Sequence, residues 1–308
     1  MSLAAARRDA SIEAAMIEDG MYSFGEALDA NAGRALLGKV LSTRAIGPEL
    51  FLSEAEFDAN PVLKGTNPRP GRNLVEKFEG DFDFIERAPV ITDALTQILG
   101  EGYRIFDKKF VCGVPESQLP DWLLKRIRGN PVNNLGGYIK PEFRDITYFY
   151  GIDFHQDLID HSGRPADFLT LYIYLDEVTK ADSPLYVLPG SHRFGATSFP
   201  HDLSQQGGGV WRYGDGRGAS ALLRQHVLTG GAGYAAFWHA CTLHGTQPDV
   251  ADHARISVRY KIERGPGPCG LDRINAALNG PIELPSTRVD LDEKGRPLMK
   301  TNHVAGAR

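Results

Sequence analysis

Tyr148-Phe149-Tyr150-Gly151-Ile152-Asp153-Phe154-His155-Gln156-Asp157 is rich in aromatic and β-branched residues, and it reads as a strand. Side chains two apart on a strand point the same way, so His155 and Asp157 share one face while Phe154 and Gln156 take the other. An imidazole and a carboxylate presented together supply two thirds of a facial metal triad. A second histidine from elsewhere would complete the two-histidine, one-carboxylate set that leaves adjacent positions open on Fe(II).

That histidine is expected from a strand folded back beside the first. The apolar run from Gly233 to Gly245, ending in a His244-Gly245 turn, is the candidate; His239 within it has the opposite parity and should face away. Eleven positions after His244, Arg255 opens Arg255-Ile256-Ser257-Val258-Arg259-Tyr260. Alternation there puts Arg255 and Ser257 on one face and Ile256, Val258 and Tyr260 on the other. A guanidinium with a hydroxyl beside it, buried near a metal, suits the far carboxylate of a small dicarboxylic acid, because its planar fork grips bidentately.

Taken in order, His155-x-Asp157, Leu188-Pro189-Gly190-Ser191-His192, His244-Gly245-Thr246 and Arg255-x-Ser257 resemble the phytanoyl-CoA dioxygenase family of Fe(II)/2-oxoglutarate oxygenases. The 89 positions from His155 to His244 and the 11 from His244 to Arg255 both fit that family. The resemblance runs from about residue 145 to residue 262. It implies Fe(II) on His155, Asp157 and His244, and 2-oxoglutarate chelating the metal with its C5 carboxylate on Arg255 and Ser257. It also implies O₂ as co-reactant, release of succinate and CO₂, and hydroxylation of an unactivated C–H bond in a small organic metabolite. Thr246 matches a family hydroxyl near the cosubstrate, and Lys109 falls where the family places a cosubstrate lysine. Tyr172 is expected to point into the barrel, within reach of the same ligand. Related halogenases replace the carboxylate by Ala or Gly, so Asp157 favours hydroxylation or another oxidation. The residues alone leave open a cupin-like metalloenzyme that does not use 2-oxoglutarate, a non-catalytic small-molecule binding protein on the same barrel, and a zinc hydrolase.

The composition sets the outer bounds. The chain has 308 residues, 42% hydrophobic and 24% charged, with a net charge of −5, which is ordinary for a globular protein and poor for a nucleic-acid binder. No apolar run approaches the ~20 residues of a membrane span, and the N-terminus carries no secretion signal. Three cysteines without C-x-x-C spacing argue against a zinc knuckle or a disulfide framework and fit a reducing cytoplasm. Oligomeric state is not legible.

The expected architecture is mainly β with α, as one domain over 1–308: a double-stranded β-helix (jelly-roll, cupin-like) core at 145–263 with helices of a mostly helical 1–110 packed outside it. Helical spacing marks Ala27–Leu41 and Glu86–Leu99, and a strand is expected at Tyr103–Cys112. Asn60–Arg72 reads as a loop. Phe168–Val178 alternates, with Leu169, Leu171, Ile173 and Leu175 on one face and Thr170, Tyr172, Tyr174 and Asp176 on the other. Two segments, 115–148 and the glycine-rich 204–219, read as insertion and lid loops over the metal site. His192 is expected in a turn, and His161, His201, His226, His253 and His303 at the surface.

Overall fold

Alternation along Phe168–Tyr174 sets the layering: Leu169, Leu171 and Ile173 enter one apolar cluster with the helices, while Tyr172 and Tyr174 enter a second cluster on the opposite side of the sheet. The structure is a computed structural model that describes residues 11–59, 74–284 and 289; the expected loop Asn60–Arg72 and His303 lie outside the described residues. The strands are β1 (Met21–Glu26), β2 (Arg104–Gly113), β3 (Val132–Asn134), β4 (Thr147–His155), β5 (Phe168–Tyr174), β6 (Leu185–Val187) and β7 (Asp202–Gly207). They continue with β8 (Val210–Gly214), β9 (Ser220–Arg224), β10 (His226–Leu228), β11 (Tyr234–His239), β12 (His244–Thr246) and β13 (Arg255–Glu263).

Ten of these strands form one curled mixed sheet in the order β1-β11-β5-β13-β2-β4-β12-β6-β10, with β3 paired beside β4. Among its pairings only β2 with β4 is parallel. This is a jelly-roll, cupin-like core whose concave side carries Val111, Tyr172, Tyr174, Val187 and Trp238. Its convex side, with Phe110, Leu171, Val258 and Tyr260, packs on Leu36 and Val40 of helix Ala30–Thr43 and on Ile91, Leu95 and Ile98 of helix Pro89–Leu99. Both helices start as their sequences dictate. Asp29 caps the backbone N–H groups of Asn31 and Ala32, and Pro89 occupies a first turn that needs no N–H donor there.

Several expectations need correction. The N-terminal part holds, besides its helices and the start of the expected strand β2, a strand the sequence did not reveal, β1, which pairs with β11 at the sheet edge. Segment 204–219 is not a lid loop: it belongs to a separate three-stranded sheet, β7-β8-β9. Gly207, Gly208 and Gly209, all at positive φ, make its first turn, and Trp211 and Tyr213 are buried. These two rings pack with Phe154, Tyr186, Leu188 and Leu243, the residues that face away from His155 and His244. The small sheet therefore backs the metal strands from outside rather than covering the site. Segment 115–148 holds helix Asp121–Ile127, at its amphipathic stretch, and β3. His201 is buried, not at the surface, and bonds the Thr197 hydroxyl; His192 is in a turn as expected, the 3-10 turn Ser191–Phe194, but is buried and bonds the Ile17 carbonyl.

Candidate metal centre

β4 ends at His155, and Asp157 opens the short 3-10 turn Asp157–Asp160, so the carboxylate stands just past the strand rather than on it. The expected parity nonetheless holds through the junction. Phe154 packs outward. The Gln156 amide bonds the carbonyls of Gly195 and Cys241 and the Thr197 N–H, which pins the turn. The second histidine likewise arrives differently from expectation. Residues 233–245 are two strands, β11 and β12, and His244 begins β12 instead of closing a turn. β12 lies antiparallel to β4, and His244 pairs directly with His155. β4 is bulged here: the register runs from His155/His244 to Ile152/Thr246, three residues against two, and Gly151, at φ +95°, lies just before it, where β4 bulges against β3.

The donor atoms of His155, Asp157 and His244 all lie within 4.8 Å of one another. The two imidazole centroids are 4.2 Å apart, and His244 Nε2 is 3.5 Å from Asp157 Oδ2. Each ring is held by its other nitrogen. His155 Nδ1 sits 2.9 Å from the Asp153 carbonyl and His244 Nδ1 3.1 Å from the Thr242 carbonyl, which fixes Nδ1 as the donor and leaves both Nε2 lone pairs facing Asp157. Burial lowers the pKa of both histidines, His155 to about 3 with help from His244, so both rings are neutral at pH 7, as ligands must be. Burial works to raise the Asp157 pKa, but Lys261, His244 and Arg259 together hold it well below the usual carboxylate range. Thr170 Oγ1 and Trp238 Nε1 donate to Asp157 Oδ2 at 2.6 and 3.1 Å and orient it. Two neutral imidazoles and one ionised carboxylate, clustered and anchored behind, fit Fe(II) with several coordination positions left open.

Arg255 is buried on β13, where its NH1 donates to the Tyr172 hydroxyl at 3.0 Å. Its Nε is buried with no partner, as is the Ser257 hydroxyl. Tyr172 stacks on Trp238, and Trp238 lies against His244, so a continuous aromatic wall runs from Arg255 to the triad. A buried guanidinium and hydroxyl with unused donors have the chemistry that a carboxylate accepts hydrogen bonds from. Thr246 is two residues past His244 on β12 and shares its face of the strand. Lys109 pairs in register with Arg259, not with Arg255. His239 stays out of the triad, bonded to Asn275.

Four residues at the centre were not singled out from sequence. Thr170 and Trp238 touch Asp157 through pairings between distant segments, which no local pattern reveals. Arg259 and Lys261 had a signal: they continue the alternation that begins at Arg255 and Ser257. Lys261 Nζ is 3.4 Å from Asp157 Oδ1, and Arg259 NH1 is 4.0 Å from it.

A jelly roll with a two-histidine, one-carboxylate cluster inside defines the class. The phytanoyl-CoA dioxygenase (PhyH) family model matches residues 140–257, the stretch that holds all three donors and Arg255, so the resemblance read from the motifs stands. The probable alpha-ketoglutarate-dependent hypophosphite dioxygenase of Stutzerimonas stutzeri is 26% identical over 180 residues, 58% of this chain. The match spans 50% of that protein, about half the length of the curated relative. Among solved structures, the non-heme alpha ketoglutarate dependent epimerase SnoN from nogalamycin biosynthesis superposes with a TM-score of 0.52 at 16% identity, over 97% of this chain and 96% of that one. SnoN with Fe3+, alpha ketoglutarate and nogalamycin RO gives a TM-score of 0.50 at 16% identity, over 97% of each chain. Likeness at this identity shows the shared fold.

Proposed function

We propose that the chain is a non-haem Fe(II)- and 2-oxoglutarate-dependent dioxygenase that hydroxylates a C–H bond of a small organic metabolite. His155, Asp157 and His244 hold the metal, and Arg255 with Ser257 takes the far carboxylate of 2-oxoglutarate; Thr246 and Tyr172 line the space between. When bound, iron and 2-oxoglutarate supply the oxidising power, O₂ being consumed as the keto acid loses CO₂ to become succinate and the substrate gains oxygen. The chain's own residues do the positioning. The Asp153 and Thr242 carbonyls fix the imidazole tautomers, and Thr170 and Trp238 keep the Asp157 carboxylate from rotating. Tyr172, Trp238 and Val187 form an apolar wall on one side of the centre, which keeps water from that side.

The observation that carries this reading is the pairing of an anchored triad with a buried Arg255 whose Nε has no partner. A cupin-like metalloenzyme without the keto acid has no use for such an arginine. The alpha-ketoglutarate dependence of SnoN and of the hypophosphite dioxygenase supports the cosubstrate. Asp157 supports oxygen transfer over halide transfer, because its carboxylate fills the position a halide would need. Among the described residues no helix is long and apolar enough to cross a membrane, and the three free cysteines are compatible with a cytoplasmic enzyme. A panel of small metabolites scored for succinate release and a product heavier by one oxygen atom tests the reading. Succinate release without a mass gain would replace hydroxylation by another oxidation, and no succinate with any substrate would count against the cosubstrate.

A further inference from the structure

Three cationic side chains gather beside the triad with too few acceptors. Lys109 on β2 and Arg259 and Lys261 on β13 all point to the concave side, as the register Arg259/Lys109 and Lys261/Asp107 requires. Their anionic neighbours are Asp107, Asp157 and Asp160. Arg259 NH2 bonds Asp107 at 2.6 Å, and its Nε is buried without a partner. Lys261 Nζ lies 3.4 Å from both Asp157 and Asp160 and 3.1 Å from His161 Nε2. Lys109 Nζ has Asp107 at 3.8 Å, an ion pair too long for a hydrogen bond. Farther along the same face, Arg164 is matched by Asp167 and Glu263, and Arg104 by Glu263, so the rim brings no spare anion.

Three cations thus face three carboxylates, one of which belongs to the metal. A divalent ion adds two positive charges, and the chelating carboxylate of a keto acid removes one. With Lys109 protonated the pocket is then left positive by one unit, and Lys109 and Arg259 Nε are short of hydrogen-bond acceptors. Buried cations are costly unless paired, so the loaded site is built to receive an anion.

We propose that Lys109, Arg259 and Lys261 form an oxyanion subsite beside the metal, and that the substrate carries a carboxylate, phosphonate or similar small anionic group held there. This rests on the oxygenase reading and narrows it to an anionic substrate class. It also moves Lys109 from the cosubstrate to the substrate.

The test is calorimetry together with visible spectroscopy on the full chain loaded with Fe(II) and 2-oxoglutarate under argon, titrated with inorganic phosphate, inorganic phosphite and acetate. At least one anion is expected to bind saturably and perturb the spectrum. Lys109→Gln and Arg259→Gln should each weaken it tenfold or more, Lys109→Arg should retain it, and the half-saturating 2-oxoglutarate concentration should move less than threefold. No binding of any of the three anions, or equal binding by Lys109→Gln, overturns the subsite. Loss of 2-oxoglutarate binding in Lys109→Gln would also overturn it, by giving the lysine to the cosubstrate. Failure of the oxygenase reading looks different: no spectral change on adding 2-oxoglutarate, whatever the anions do in the calorimeter.

Discussion

Arg255 shows how much one side chain decides. Its guanidinium is buried, bonded to the Tyr172 hydroxyl at 3.0 Å, and keeps Nε free, so a carboxylate arriving there gains a charge-assisted fork. Arg255→Lys keeps the charge and loses the fork. Affinity for 2-oxoglutarate should fall by roughly ten- to a hundredfold, the equivalent of about 1.5–3 kcal/mol, with iron content near normal. An equilibrium titration checks this, and unchanged affinity would take the cosubstrate away from Arg255. Lys109 makes a second prediction through its proton. Burial first, and then Arg259, push its pKa down to about 7 against the pull of Asp107. The unfolded chain holds that proton up to about 10.4, so between the two values the unfolded state binds more protons and the lysine's contribution to stability rises with pH. Denaturant unfolding at pH 7, 8 and 9 should therefore show a stability gain with pH that is smaller in Lys109→Met than in the parent chain. Equal slopes would place the ammonium in solvent.

At the scale of elements, Gly151 lets the segment after β12 pack closely on β4. Gly151 holds φ +95°, and a Cβ there would come within 3.2 Å of the Thr246 carbonyl and the Pro248 nitrogen on the partner segment. Gly151→Ala should cost about 1–3 kcal/mol from backbone strain and also push β12 away, so iron affinity should fall along with the melting temperature. A variant that binds iron as the parent does would mean that the close packing at Gly151 does not set the spacing of β4 and β12. The sequence was informative about elements where a pattern repeats. Period-two alternation placed Leu169 and Tyr172 on their correct faces, and the i, i+2 spacing of His155 and Asp157 survived the end of the strand. It was uninformative where pairing is remote or turns dominate the composition. Met21-Tyr22-Ser23-Phe24-Gly25-Glu26 is short, follows a helix directly and gains its strand conformation only from β11. In 204–219 the glycines of the two turns masked a hairpin whose buried Trp211 and Tyr213 sit at alternate positions.

For the whole molecule, a curled sheet brings four separate segments to one interior: β4 and its turn with His155 and Asp157, β12 with His244, β13 with Arg255, and β2 with Lys109. The helices on the convex side and the small β7-β8-β9 sheet behind Phe154 brace that interior without entering it. Access to the metal is thus from the concave side. Fe(II) added anaerobically with 2-oxoglutarate should give a weak visible metal-to-ligand charge-transfer band, because the triad leaves adjacent positions for a chelating keto acid. The intact protein should show the band at saturating reagents, and His155→Ala and His244→Ala should each abolish it. An intact protein with no band, or a band that persists in both variants, would contradict a metal centre of His155, Asp157 and His244 that binds 2-oxoglutarate.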